Sequence, residues 1–165
     1  APPPATARAI RFDADLWDLF TTMPQPLVCA VHGYCLGSGI EMALCCDLVI
    51  ASEDARFGLP EIGLGIIPAA GGTQTVPRAV GRGAALDMML TNRWLDAGEA
   101  HRAGLVNRIV PRDRLRPEAD EAALRLAVRN PRIIRAVKEA VNRGLDLTLD
   151  QGLELERRLA VRLIT

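Results

Sequence analysis

Apolar positions divide the chain into two kinds of territory. Between Leu27 and Ala51, short and nearly continuous apolar runs are cut by glycine and proline; beyond Gly83, apolar residues recur every three or four positions. Short apolar runs bounded by turn residues read as buried strands, and a 3.6-residue period reads as amphipathic helix. Leu27–Val31 and Leu48–Ala51 are therefore expected to be strands. Between them, Gly33–Gly39 reads as a turn carrying three glycines, leading into a short helix over Ile40–Cys46. Upstream, residues through Arg8 read as loop. Ile10, Leu16, Trp17, Phe20 and Met23 predict a helix from Ala9 to Met23, stopped by Pro24 and Pro26. The stretch from Phe57 to Gly72, rich in glycine and proline, predicts no single regular element.

The second half predicts mostly helix. Gly83–Thr91 and Ala97–Ala103 have the period, the latter closed by Gly104. Leu105–Val110 reads as a strand ended by Pro111, followed by a helix over Pro117–Arg129. Pro131–Gly144 opens with Asn130 before a proline at the first helical position. A last helix opens at Thr148 and at Thr165 shows no terminating glycine, proline or cap, the pattern expected of a chain that stops in mid-helix. Strands followed by helices argue for an α/β layer with a helical appendage, divided at about residues 1–81 and 82–165.

Composition narrows the function classes. The 165 residues are 49% apolar, and twenty Lys and Arg balance twenty Asp and Glu. That balance provides no field to attract nucleic acid or an anionic membrane, and no apolar run reaches the ~18 residues of a bilayer span. Cys29, Cys35, Cys45 and Cys46 form no CxxC pair, and no histidine stands at ligand spacing, so they read as reduced thiols of a cytoplasmic protein without a metal.

Candidate chemistry concentrates in Val31-His32-Gly33-Tyr34-Cys35-Leu36-Gly37-Ser38-Gly39-Ile40-Glu41. A strand passing through glycines into a helix leaves main-chain N–H groups unpaired, in a place a ligand can approach closely. Three familiar motifs fail here. A dinucleotide fingerprint needs a glycine where Met42 stands, and a phosphate loop needs a lysine, of which none is near. A nucleophile elbow around Ser38 needs glycines where Leu36 and Ile40 stand. Glu41 in the first helical turn, and Glu61 in Gly58-Leu59-Pro60-Glu61-Ile62-Gly63, both sit among apolar neighbours. Each is explained equally by helix-end stabilisation or, if both line one pocket, by an acid–base pair whose repulsion and desolvation raise one pKa. Spacing leaves their convergence open.

The segments HGYCLGSGIEMALCCDLVIAS, ARFGLPEIGLGIIPAAGGTQTVPRAVG and ALDMMLTNRWLDAGEAHRAGLVNRIVP resemble the crotonase family of enoyl-CoA hydratases and isomerases. The resemblance implies an α/β spiral of ββα units, here the later part of the spiral, with a helical C-terminal region that contributes to trimers or dimers of trimers. It implies an acyl-CoA thioester substrate, with CoA as part of that substrate and no cofactor. By the same resemblance the Ser38 N–H is one of two donors to the thioester oxygen, and Gly37, Gly39 and Gly63 lie against substrate. Glu41 activates a water, and Glu61 gives a proton to C2. Glutamate at both positions points to hydration rather than double-bond isomerisation; a non-catalytic crotonase-like subunit is the alternative outside catalysis. Family members extend beyond both ends of this stretch, and the turn supplying the second oxyanion donor is expected outside it. Leu59 replaces a polar residue often found before Pro-Glu, leaving the support of Glu41 open. His32 and His101 are expected to be structural.

Overall fold

The computed structural model describes residues 16–164. The first helix, α1 (Leu16–Thr22), ends before Pro24 as the sequence predicts; the expected loop through Arg8 and the start of the helix at Ala9 lie outside the described residues. Two strand pairs then make a coil. β1 (Val28–Val31) and β2 (Tyr34–Leu36) are separated by a corner at Gly33, whose φ of 61° suits glycine. After α2 (Ser38–Ala43), β3 (Leu48–Ser52) and β4 (Arg56–Gly58) repeat the same path one layer on. β3 lies parallel to β1, with Val28 opposite Leu48, and β4 lies parallel to β2, with Tyr34 opposite Arg56.

A 3₁₀ turn (Pro60–Leu64) leads to α3 (Gly72–Val80) and α4 (Arg82–Leu90). The short β5 (Leu95–Asp96) runs antiparallel to β4, and α5 (Ala97–Ala103) follows it. β6 (Arg108–Val110) joins β3, giving the sheets β1-β3-β6 and β2-β4-β5. α6 (Leu115–Ala127), α7 (Pro131–Gly144) and α8 (Leu149–Ile164) complete the described chain. Both sheets thus take a strand from beyond residue 81.

The core lies between the two sheets and α2–α5, with Ile40, Phe57, Leu59, Val76 and Met88 almost wholly enclosed. A second cluster seats Leu115, Ala119 and Ala122 of α6 on Ile50. α7 buries no residue fully, whereas α8 buries Leu155 and Leu159. Lys138 of α7 anchors it to the start of the first sheet: its Nζ donates to Asp47 Oδ2 at 2.7 Å and to the Gln25 carbonyl at 3.0 Å. None of the four cysteines is in a disulfide, and burial pushes the Cys35 thiol up to about 11.

Two elements depart from expectation, and a third, α3, fills residues to which the sequence assigned no element of their own. The glycine turn contains a strand, β2, because a parallel partner arrives from β4 twenty-two residues later in register. α3 occupies residues that begin Gly72-Thr73-Gln74 and include Pro77, a poor helical pattern that packing of buried Val76 overrides. The strand expected from Leu105 is confined to Arg108–Val110; Leu105 and Val106 are buried in the loop, and Asn107 Oδ1 accepts the Val49 N–H at 2.7 Å. His101 Nδ1 lies 2.8 Å from the Val106 carbonyl, a structural contact.

Candidate active site

The turn at Gly37 is built from both strand pairs. Its N–H donates to the Gly58 carbonyl at 2.9 Å, continuing the β2–β4 ladder by one bond. Its φ of 52° and ψ of −120° lie where side chains are excluded. Space is a second reason for glycine: a Cβ here would stand 2.5 Å from Glu61 Oε1. Ser38 and Gly39 follow at once as the exposed first residues of α2, where N–H groups have no preceding turn to bond to.

Glu41 is 2% exposed. Its burial is compensated, because Oε1 accepts the N–H of Ala70 at 2.8 Å and of Gly72 at 2.8 Å. Gly72 is the first residue of α3, so the carboxylate also meets the positive end of that helix. A Cβ on Gly72 would come within 2.9 Å of Glu41 Oε1, so this approach too requires glycine.

Glu61, at the start of the 3₁₀ turn, is also buried, but its Oε2 has no hydrogen-bond partner among the described residues. Burial pushes its pKa upward, and the charge of Glu41 adds to the rise. The structure thus brings Gly37, Glu41 and Glu61 together with Ser38 and Gly39 beside them. Gly63 lies in the same 3₁₀ turn as Glu61, and a Cβ there would meet Asn92 Nδ2 at 3.8 Å.

Sequence reasoning missed the clasp on Glu41 made by Ala70 and Gly72. Its only trace was the Gly71-Gly72 pair, with Gly71 at a φ of 100° capping α3. Leu59, where a polar supporter was looked for, is wholly buried among apolar residues; the support of Glu41 comes from main chain. A cavity of about 820 Å³ opens elsewhere, between α3 and α7, and neither glutamate lines it.

A family model described as enoyl-CoA hydratase/isomerase matches residues 6–165. The chain belongs to the crotonase family. Among curated crotonase relatives, a probable enoyl-CoA hydratase of Rhizobium meliloti is 50% identical over 143 residues, 87% of this chain and 56% of its own length. A 2,3-dehydroadipyl-CoA hydratase of Escherichia coli is 44% identical over 144 residues, 87% and 56% of the two chains. A crystal structure of an enoyl-CoA hydratase from Bacillus anthracis superposes with a TM-score of 0.93 at 36% identity, covering 99% of this chain and 64% of that one. The chain spans a little over half the length of the curated relatives it matches. The fold is that of crotonase enzymes, mixed α/β with a helical C-terminal region, and the family acts on acyl-CoA thioesters. Among the described residues no helix is long and apolar enough to cross a membrane.

Proposed function

We propose that this protein is an enoyl-CoA hydratase, adding water syn across the double bond of a trans-2-enoyl-CoA to give a 3-hydroxyacyl-CoA. The observation that carries this reading is a pair of buried carboxylates in opposite states of support. Glu41 is clasped by two main-chain donors, whereas Glu61, whose Oε2 has no partner among the described residues, is biased by burial toward its protonated form. Environments that separate two carboxyl groups in this way assign one as base and the other as acid.

The Ala70 and Gly72 bonds both fall on Glu41 Oε1, which leaves Oε2 to hold the water. As the water oxygen bonds to C3, Glu41 takes its proton, and the π electrons shift toward the thioester oxygen. The Ser38 N–H stabilises that enolate-like oxygen, and Glu61 then delivers a proton to C2. One proton must pass from Glu41 back to Glu61 before the next turnover. Glycine at Gly37 and Gly39 lets the thioester reach the main chain. A donor of this kind is worth about 10²–10³ in rate, and a general acid or base about 10²–10⁴. Only water and protons move, so the reaction needs neither metal nor redox cofactor. Assembly into trimers or hexamers belongs to the same proposal.

Incubation with a 2-enoyl-CoA, followed by mass spectrometry of the thioester, tests the reading. Hydration adds the mass of one water; a product of unchanged mass but shifted chromatographic retention and lost conjugated absorbance would transfer the proposal to isomerase chemistry, while a substrate unchanged in mass, retention and absorbance would favour a non-catalytic subunit.

A further inference from the structure

Gly58 is a glycine for want of space, not for backbone conformation, since it is not among the residues with positive φ. A Cβ on it would fall 2.5 Å from Cδ1, 2.8 Å from Nε1 and 2.9 Å from Cγ of Trp94. The indole therefore rests directly on the main chain of the last residue of β4. That residue supplies the carbonyl that accepts the Gly37 N–H at 2.9 Å, and Ser38 follows Gly37.

The Trp94 Nε1–H donates to Asn92 Oδ1 at 3.4 Å, and the chain on either side of the residue is braced by its neighbours. Arg93 bridges Asp87 Oδ2 at 2.9 Å and Glu99 Oε1 at 2.6 Å, while Thr91 Oγ1 donates to the Asp87 carbonyl at 2.6 Å. Glu99 also closes a reciprocal capping box with Asp96 at the start of α5. Tyr34 meets the indole edge-on, with ring centroids 5.7 Å apart at 71°. Yet Trp94 remains 40% exposed, so this bracket does more than fill a core. Ion pairs of the adjacent Arg93 brace this segment, and Tyr34 and Asn92 hold the indole itself on the peptide from which the glycine turn hangs.

We propose that Trp94 is a positioning residue for the thioester-oxygen site. Its indole clamps Gly58, and the Gly58 carbonyl in turn fixes Gly37 and the Ser38 N–H. The proposal rests on the hydration reading for its catalytic consequence, though not for its structural one.

The test compares Trp94→Phe, Trp94→Ala, Gly58→Ala and the double variant in the full-length protein. Trp94→Ala lowers kcat about 10–100-fold, as loosened placement of a transition-state donor does, with KM changed less than about threefold. Trp94→Phe retains kcat within about threefold, because a ring still covers Gly58. Gly58→Ala alone drives its methyl into the indole and lowers kcat as well. In the double variant that methyl enters vacated space, so the combined loss is smaller than the product of the single losses. Amide exchange at Gly37, read without substrate, accelerates in Trp94→Ala. Unchanged Gly37 exchange, a loss confined to KM, or fully multiplicative losses would overturn the proposal. A wild-type protein that does not hydrate enoyl-CoA would defeat the hydration reading alone; Gly37 exchange would still decide the role of Trp94.

Discussion

Replacing Gly72 by alanine isolates the clasp on Glu41. The added methyl would stand 2.9 Å from Glu41 Oε1, 2.9 Å from Pro68 Cβ and 3.1 Å from Glu41 Cγ, so the carboxylate or the loop has to move. Movement weakens the two hydrogen bonds from Ala70 and Gly72. Bonds to a charged group contribute about 1.5–3 kcal/mol each. Loss of about half of their combined value costs roughly 1.5–3 kcal/mol, and alanine at a helical position returns up to about 1 kcal/mol. The net loss of about 0.5–2 kcal/mol corresponds to a melting temperature lower by roughly 1–8 °C in a domain of this size. The rate of hydration is expected to fall further, by about 10²-fold or more, because the base itself is displaced. Calorimetry and steady-state kinetics on the same preparation check both numbers. Gly83→Ala is the control: it lies in α4, nothing comes within 4 Å of its Cβ, and it should be neutral or stabilising. If Gly72→Ala matched Gly83→Ala in both assays, the clasp would not support Glu41 as described.

Other consequences follow from individual groups. Burial raises the folded-state pKa of Glu61, so its contribution to stability is fully present below the unfolded value and is lost as pH rises through the folded one. Glu61→Gln should therefore melt progressively higher than wild type as pH rises through that window, and parallel melting curves would contradict this. If Glu61 is the acid, wild-type hydration declines over the same window as the proton is lost, which a pH–rate profile reads directly. Lys138→Met strands Asp47, whose Oδ2 still accepts the Leu27 N–H at 2.7 Å. Because Asp47 keeps some contact with water, the cost should be about 2–3 kcal/mol, below that of a fully buried pair, and should be measurable by denaturant titration.

Much of the fold was legible because long periodic segments carry their own signal. α7 begins at Pro131 and ends at Gly144 as its cap residues foretell, and Gly104 closes α5 in the left-handed region. What stayed hidden depends on partners distant in sequence. Tyr34–Leu36 becomes a strand only because Arg56–Gly58 lies alongside, and α3 forms although Pro77 argues against it locally. At the site, Glu41 and Glu61 were visible as carboxylates in apolar surroundings, but their different support was not. The donors to Glu41 are main-chain groups of Ala70 and Gly72, which no side-chain pattern encodes. The closeness of Glu61 to Gly37 likewise depends on the coil that brings β4 beside β2.

The most direct test of the account is the loss of the conjugated enoyl-thioester absorbance catalysed by wild type, Glu41→Gln and Glu61→Gln, each confirmed folded by its melting curve. The account predicts hydration by wild type and a fall of about 10²–10⁴ in kcat for each variant. Wild-type rates in either glutamine variant would contradict it.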